Sequence, residues 1–406
     1  MALDGRARAN DEAACAPTAQ WGAVFSLALG VVGYVSSEML PSSVLTPIAA
    51  DLHVSEGLAG QAVTTTALVA MVTSVFTAAV AGRLDRRIVL LAFTALLTAS
   101  NLVAAFAVNL PMLLAARVLL GFGLGGFWSM AAATTMRLVP MASVPRALSL
   151  IYGGVSVAVV VAGPMGSALG GIIGWRGVFF AVALLNLAAL AWQWAVLPTM
   201  ATAAHSRLST LLQLLQRPQM RVGMLGVVLA FCGHFAFFTY LRPFLETVPR
   251  FGLNGVSAVL LAFGLANVAG TFVSGWLIAR SLTLTLALAP LAMAAAAAGL
   301  VAFGASPVLA AALAAVWGFC MGTVPVAWTT WFTHTAPHEA ESIGGLRVAS
   351  IQLAITAGAG VGGLLFDWRG PLAPFVGAGI FLTLTFLLVY LRLPPPNHRA
   401  SSGAPA

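Results

Sequence analysis

The chain has 406 residues, of which 60% are apolar and only 7% charged, with a formal net charge of +8. Soluble domains carry about 25% charged residues, because folding never buries the whole surface. This composition excludes a water-soluble fold and makes lipid the solvent for most of the chain. Every basic residue is an arginine, and the arginines fall in short segments between apolar runs, the pattern of membrane orientation rather than of nucleic-acid binding.

Residues 1–21 form a tail that contains Asp4, Asp11 and Glu12 and lacks a cleavable signal pattern, so the first apolar run is expected to stay as a helix. At about 20 apolar residues per span, the runs predict transmembrane helices at 22–46, 60–81, 88–108, 112–134, 147–172, 177–197, 222–242, 256–279, 283–304, 308–331, 343–365 and 371–392. Pro41 and Pro243 are expected to bend or end their helices. With the N-terminus inside, Arg83, Arg86, Arg87, Arg137, Arg146, Arg207, Arg217, Arg221 and Arg280 fall in cytoplasmic loops. Only Arg176, Arg242, Arg250 and Arg369 fall outside. That asymmetry puts both termini in the cytoplasm. Residues 198–221 are the longest polar stretch between spans and divide a half at 22–197 from a half at 222–392. The Pro/Ser/Gly-rich tail at 393–406 has a disordered composition. Cys15, Cys232 and Cys320 have neither disulfide nor metal-ligand spacing.

A repeat connects the halves. Gly121-Phe122 with Gly125 in span 4 returns as Gly318-Phe319 with Gly322 in span 10. Gly170-Gly171 before Trp175-Arg176 returns as Gly362-Gly363 before Trp368-Arg369, at offsets of 192–197 residues. The expected fold is an all-α membrane protein with twelve transmembrane helices in two parallel six-helix halves. This is the arrangement of major facilitator carriers, with the substrate between the halves.

Several residues carry chemistry. Glu38 is the one acidic residue well inside a span, and a carboxyl group there can take up and release a proton as its surroundings change. It could instead be a structural partner for an arginine such as Arg117. Arg117 lies inside span 4, where an arginine costs about 2.5–3.5 kcal/mol unless it meets a partner or water; it faces a polar cavity or snorkels to the interface. Asp85 and Arg86, at the end of span 2, read as a conformational latch or as part of a positive-inside anchor. Gly154, Gly163 and Pro164 in span 5 allow close helix approach and open the hydrogen-bond ladder once. In span 7, His234 and Phe238 share a face, as do Phe231 and Phe235, with Tyr240 following, which suits a flat hydrogen-bonding ligand or simple packing. Trp128, Asn267 and Gln352 are further candidates for contacting a ligand, the amides serving equally as interhelical glue. Trp317, Trp328 and Trp331 form a stripe on span 10, of which the last two are expected to be interfacial anchors.

Gly82-Arg83-Leu84-Asp85-Arg86-Arg87 resembles the loop signature of the major facilitator superfamily, with Ile88 where a glycine is usual. Arg117 with Gly121 resembles its span-4 pattern, and Gly154 with Gly163-Pro164 its antiporter signature. The stretches Glu38-Met39-Leu40-Pro41-Ser42-Ser43, Gly125-Gly126-Phe127-Trp128-Ser129-Met130 and Phe235-Ala236-Phe237-Phe238-Thr239-Tyr240 are similar to the bacterial purine ribonucleoside efflux pumps of the drug–proton antiporter branch. The resemblance runs from about residue 20 to about residue 390. It implies a transporter rather than an enzyme, exporting purine nucleosides or analogues against protons as a functional monomer in the inner membrane. It implies proton coupling at Glu38 and Arg117, a latch at Asp85 and Arg86, and no cofactor, metal or nucleic-acid partner. A multidrug, antibiotic or sugar exporter of the same fold is the alternative.

Overall fold

Long apolar runs in lipid have no water to satisfy their backbone, so they close their hydrogen bonds internally as helices. The computed structural model describes residues 20–80, 85–140, 143–200, 216–335 and 340–393. Its regular elements are helical throughout: α1 (Trp21–Ser43), α2 (Leu45–Asp51), α3 (Glu56–Val80), α4 (Arg86–Ala105), α5 (Leu110–Leu138), α6 (Val144–Val196), α7 (Pro218–Phe238), α8 (Leu241–Thr247), α9 (Leu253–Arg280), α10 (Leu282–Phe303), α11 (Pro307–Thr335), α12 (Ala340–Arg369) and α13 (Ala373–Arg392). The expected tails at 1–19 and 394–406, with Cys15, Arg83 and Arg207, lie outside the described residues.

Local chemistry sets the helix ends. Asn109 accepts from Met112 N at 2.9 Å and caps α5, which then opens on Pro111, a residue that needs no backbone donor there. Ser281 caps α10 in the same way. α6 is 53 residues long because two spans run together; Gly174, at φ 71°, makes the turn that other residues would resist. Among the described residues ten helices are long and apolar enough to cross a membrane; with α6 counted as two spans, the 25-residue α3 added, α2 continuing α1 and α8 continuing α7, they make twelve. The start of α1 meets the end of α5, where Gln20 N donates to the Leu138 carbonyl, and the start of α4 meets the end of α6, where Met200 N donates to Asp85; these ends make one face, called here the terminal face.

The repeat is visible in packing. An added Cβ on Gly121 or Gly125 of α5 would run into the carbonyls of Thr66 and Ala70 on α3. On Gly318 and Gly322 of α11 it would run into the carbonyls of Phe263 and Asn267 on α9. Each half therefore uses the same glycine pair to press its fourth span onto its second. The first span of each half is also broken at the same place. α2 and α8 have seven residues each, and the breaks at Val44 and Tyr240 lie 196 positions apart. Each break comes three residues before a proline, Pro47 or Pro243, and Pro41 lies inside α1 just ahead of the first. By this register Glu38 and His234 are equivalent positions, each six residues before its break.

The halves meet along two seams, α3 against α12 and α6 against α9. On the face opposite the termini they are hydrogen-bonded together. Asp367 of α12 accepts from Ser55 Oγ at 2.8 Å and from Gly57 N at 3.1 Å, capping α3 from across the seam. Arg242 of α8 is buried, ion-paired to Glu246 at 2.8 Å, and donates to the carbonyl of Ser43 in α1.

Candidate functional site

α1 is where the two halves' chemistry meets. Its Ser37–Glu38 peptide is gripped from the N-terminal half. Arg117 of α5 is fully buried and donates through Nη1 to the Ser37 carbonyl at 2.9 Å, with its guanidinium 4.9 Å from the Phe179 ring centre. The Ser37 hydroxyl donates to the Gly33 carbonyl and accepts from Asn101 Nδ2 at 2.8 Å and Asn186 Nδ2 at 3.4 Å. Arg117 therefore does not snorkel, and the ion pair with Glu38 that the sequence allowed is replaced by a bond to the backbone leading into Glu38. Its Nε and Nη2 have no partner among the described residues, and neither do Asn101 Oδ1 and Asn186 Oδ1.

The Glu38 carboxyl faces the other half. It lies within hydrogen-bonding reach of the Gln352 side chain on α12, which is itself buried, with its Oε1 unpartnered among the described residues. This contact crosses the boundary that must open if the halves move apart.

His234 is buried among aromatics, stacked with Phe238 at 5.5 Å and Phe263 at 6.3 Å and meeting Phe235 edge-on at 5.0 Å. Trp317 of α11 donates through Nε1 to His234 Nδ1 at 3.2 Å and stacks on Phe237 at 3.8 Å. Trp128 is half-buried, edge-on to Phe127, which stacks on Tyr34 at 4.6 Å. Two candidates are spent on packing. Tyr240 is fully buried, donating to the Ala359 carbonyl at 3.0 Å and filling the seam beside Gly60, Gly362 and Gly363. Asn267 donates to the Gly318 carbonyl at 3.3 Å and ties α9 to α11.

The antiporter-signature glycines of α6 act by close approach. A Cβ on Gly154 would come within 2.7 Å of the Ala28 carbonyl on α1, and one on Gly166 within 3.1 Å of Ser43. Gly163 is looser, facing Leu260 across the seam, and Pro164 lies inside the helix. Asp85 caps α4, accepting from Arg87 N at 2.9 Å, and also accepts from Met200 N at 3.0 Å beyond the end of α6. These two amides hold its carboxyl below the usual carboxylate range, the Met200 amide contributing most. Its bonds stay within the N-terminal half. Arg86 beside it is half-buried.

The tryptophan stripe departs from expectation. Trp328 and Trp331 are not interfacial anchors; they are buried, and their rings fill the notch left by Gly226 and Gly223 on α7. The contacts that the sequence did not foresee are those of Ser37, Asn101, Arg242 and Asp367, and the bond from Trp317 to His234.

Comparison with known proteins identifies the family and agrees with the fold. The Major Facilitator Superfamily profile matches residues 27–358. The chain is 45% identical over 373 residues to the proteins named purine ribonucleoside efflux pump NepI of Salmonella enteritidis, Salmonella typhimurium and Salmonella typhi, covering 92% of this chain and 94% of theirs. The crystal structure of a D-xylose–proton symporter superposes with a TM-score of 0.73 at 15% identity, over 94% of this chain and 99% of that one, a likeness of fold alone. The chain belongs to the major facilitator superfamily of transporters.

Proposed function

We propose that this transporter exports purine ribonucleosides across the inner membrane in exchange for protons, with both termini in the cytoplasm and one chain as the working unit. What carries the coupling is the position of Glu38, an acid deep in the protein that reaches from one half to an amide of the other. A carboxylate accepts from the Gln352 amide; a protonated carboxyl becomes a donor itself and loses its charge. Proton binding at Glu38 thus changes the contact that joins the halves, and the halves can pivot with the proton aboard. Arg117 holds the Ser37–Glu38 backbone so that the carboxyl keeps its aim. The glycines at 154 and 163, with Pro164, let α6 slide closely on α1 and α9.

The outer seam, held by Asp367 and Arg242, is the closed gate of this state. Asp85 and Arg86 serve as the latch of the α3–α4 loop, fixing the start of α4 while the halves turn. Substrate lies between His234, Phe235 and Phe238 on one side and Trp128 on the other, with Gln352 beside the proton site; aromatic faces suit a purine ring. The nucleoside itself is drawn from the Salmonella purine ribonucleoside efflux pumps, which match through both halves. Counterflow of labelled inosine in proteoliposomes tests the reading. Exchange of label against unlabelled inosine, with none against a sugar, is expected; absence of inosine exchange contradicts it.

A further inference from the structure

The bond between Trp317 and His234 fixes more than packing. An indole nitrogen only donates, so His234 Nδ1, 3.2 Å from Trp317 Nε1, is the acceptor. A neutral imidazole then carries its single proton on Nε2. Neither ring is free to turn. Trp317 is fully buried and stacked within 8° of parallel on Phe237, and His234 packs against a cluster of Phe235, Phe238 and Phe263. A second proton at Nδ1 would set two N–H groups against each other, so this ring does not serve as the carrier of the transported proton.

We infer that Trp317 is a positioning residue that locks His234 as an Nε2–H donor, and that this donor reads a hydrogen-bond acceptor on the purine edge of the substrate. This rests on the purine reading above. Guanine offers N7 and O6 as acceptors and adenine offers N7, so a fixed donor suits the class as a whole, whereas a histidine free to exchange tautomers would select no acceptor.

The lock and the recognition are tested separately. In 15N-histidine-labelled protein in nanodiscs, His234 should show an unprotonated Nδ1 and a protonated Nε2, and adding inosine should move the Nε2–H resonance. Replacing Trp317 by β-(3-benzothienyl)alanine exchanges the N–H for sulfur while keeping the shape. It should raise the half-saturating inosine concentration about tenfold and leave the maximal counterflow rate within about twofold. Wild-type protein should disfavour 7-deazainosine, which lacks N7, or purine riboside, which lacks O6, and the replacement should erase that preference. Trp317→Phe should act in the same direction. A proton on Nδ1, a doubly protonated ring at neutral pH, or unchanged half-saturation in the benzothienyl protein overturns the inference. If wild-type protein ignores inosine, the purine reading fails, and the nitrogen resonances still decide the lock.

Discussion

Arg117 donates to the carbonyl oxygen of Ser37, the carbonyl of the peptide bond that leads into Glu38. A buried cation thus grips the backbone of the acid-bearing helix rather than the acid itself, leaving the Glu38 carboxyl for Gln352 across the seam. Arg117→Lys keeps the charge but loses the planar fork and its reach. Proton-driven uptake into inverted vesicles is expected to fall at least about tenfold, the loss of one charge-assisted hydrogen bond, with normal amounts of protein in the membrane. Transport at the wild-type rate would show that the grip on Ser37 is dispensable.

Asp367 and Arg242 hold the face opposite the termini closed. Asp367→Ala removes both acceptors that cap α3 from the other half. Labelling of a cysteine at Ser43, a buried position beneath this closure, by a membrane-impermeant maleimide should then rise several-fold from that face. The parent protein, with Cys15 and the buried Cys232 and Cys320, provides the background. Labelling as slow as in the parent protein would mean that the seam is held by apolar packing alone.

Trp328 and Trp331 occupy the groove made by Gly223 and Gly226. Trp328→Ala leaves a large cavity and should cost about 3–5 kcal/mol, read as a clear drop in melting temperature in detergent. Trp276→Ala, at a residue 56% exposed toward the membrane, should change it little. Equal effects from the two substitutions would return Trp328 to an interfacial role.

These tryptophans mark the limit of what the chain discloses by itself. The spans, their number and the half-chain repeat were legible because lipid forces every apolar run into helix and because glycine pairs recur at a fixed offset. An interfacial tryptophan and one that fills a glycine notch look alike in sequence; Gly223 and Gly226 meet them only once α7 and α11 pack. Arg117 was legible as a charge inside a span, open between a polar cavity and snorkelling, but its acceptor is a main-chain carbonyl, which no residue type announces. Arg242 read as a loop charge and Asp367 fell just past the expected end of span 11 at residue 365. Their importance comes from contacts between segments up to 312 residues apart. Tyr240, a reasonable candidate for touching a ligand, spends its hydroxyl on Ala359 because α7 breaks beside it.

Asp85 tethers the start of α4 to Met200. Its carboxyl lies below the ordinary range, so the stability it contributes is complete above the unfolded value of about 3.9 and is lost only as pH falls through the lower folded value. Asp85→Ala should therefore lower the melting temperature by the same amount anywhere between about pH 5 and pH 8. A difference that shrinks toward the acid end of that window would contradict this assignment.

In this scheme Glu38 carries the proton. One proton moving down about 100 mV supplies about 2.3 kcal/mol, which at about 1.4 kcal/mol per tenfold sustains a substrate gradient of roughly forty-fold. Glu38→Gln keeps the shape and a partner for Gln352 but cannot take up or release a proton. The decisive measurement is labelled-inosine transport by Glu38→Gln protein in vesicles under an imposed pH gradient, beside exchange with no gradient. Uphill accumulation is expected to disappear while exchange of labelled for unlabelled substrate continues. Accumulation by the variant at the wild-type level would contradict it.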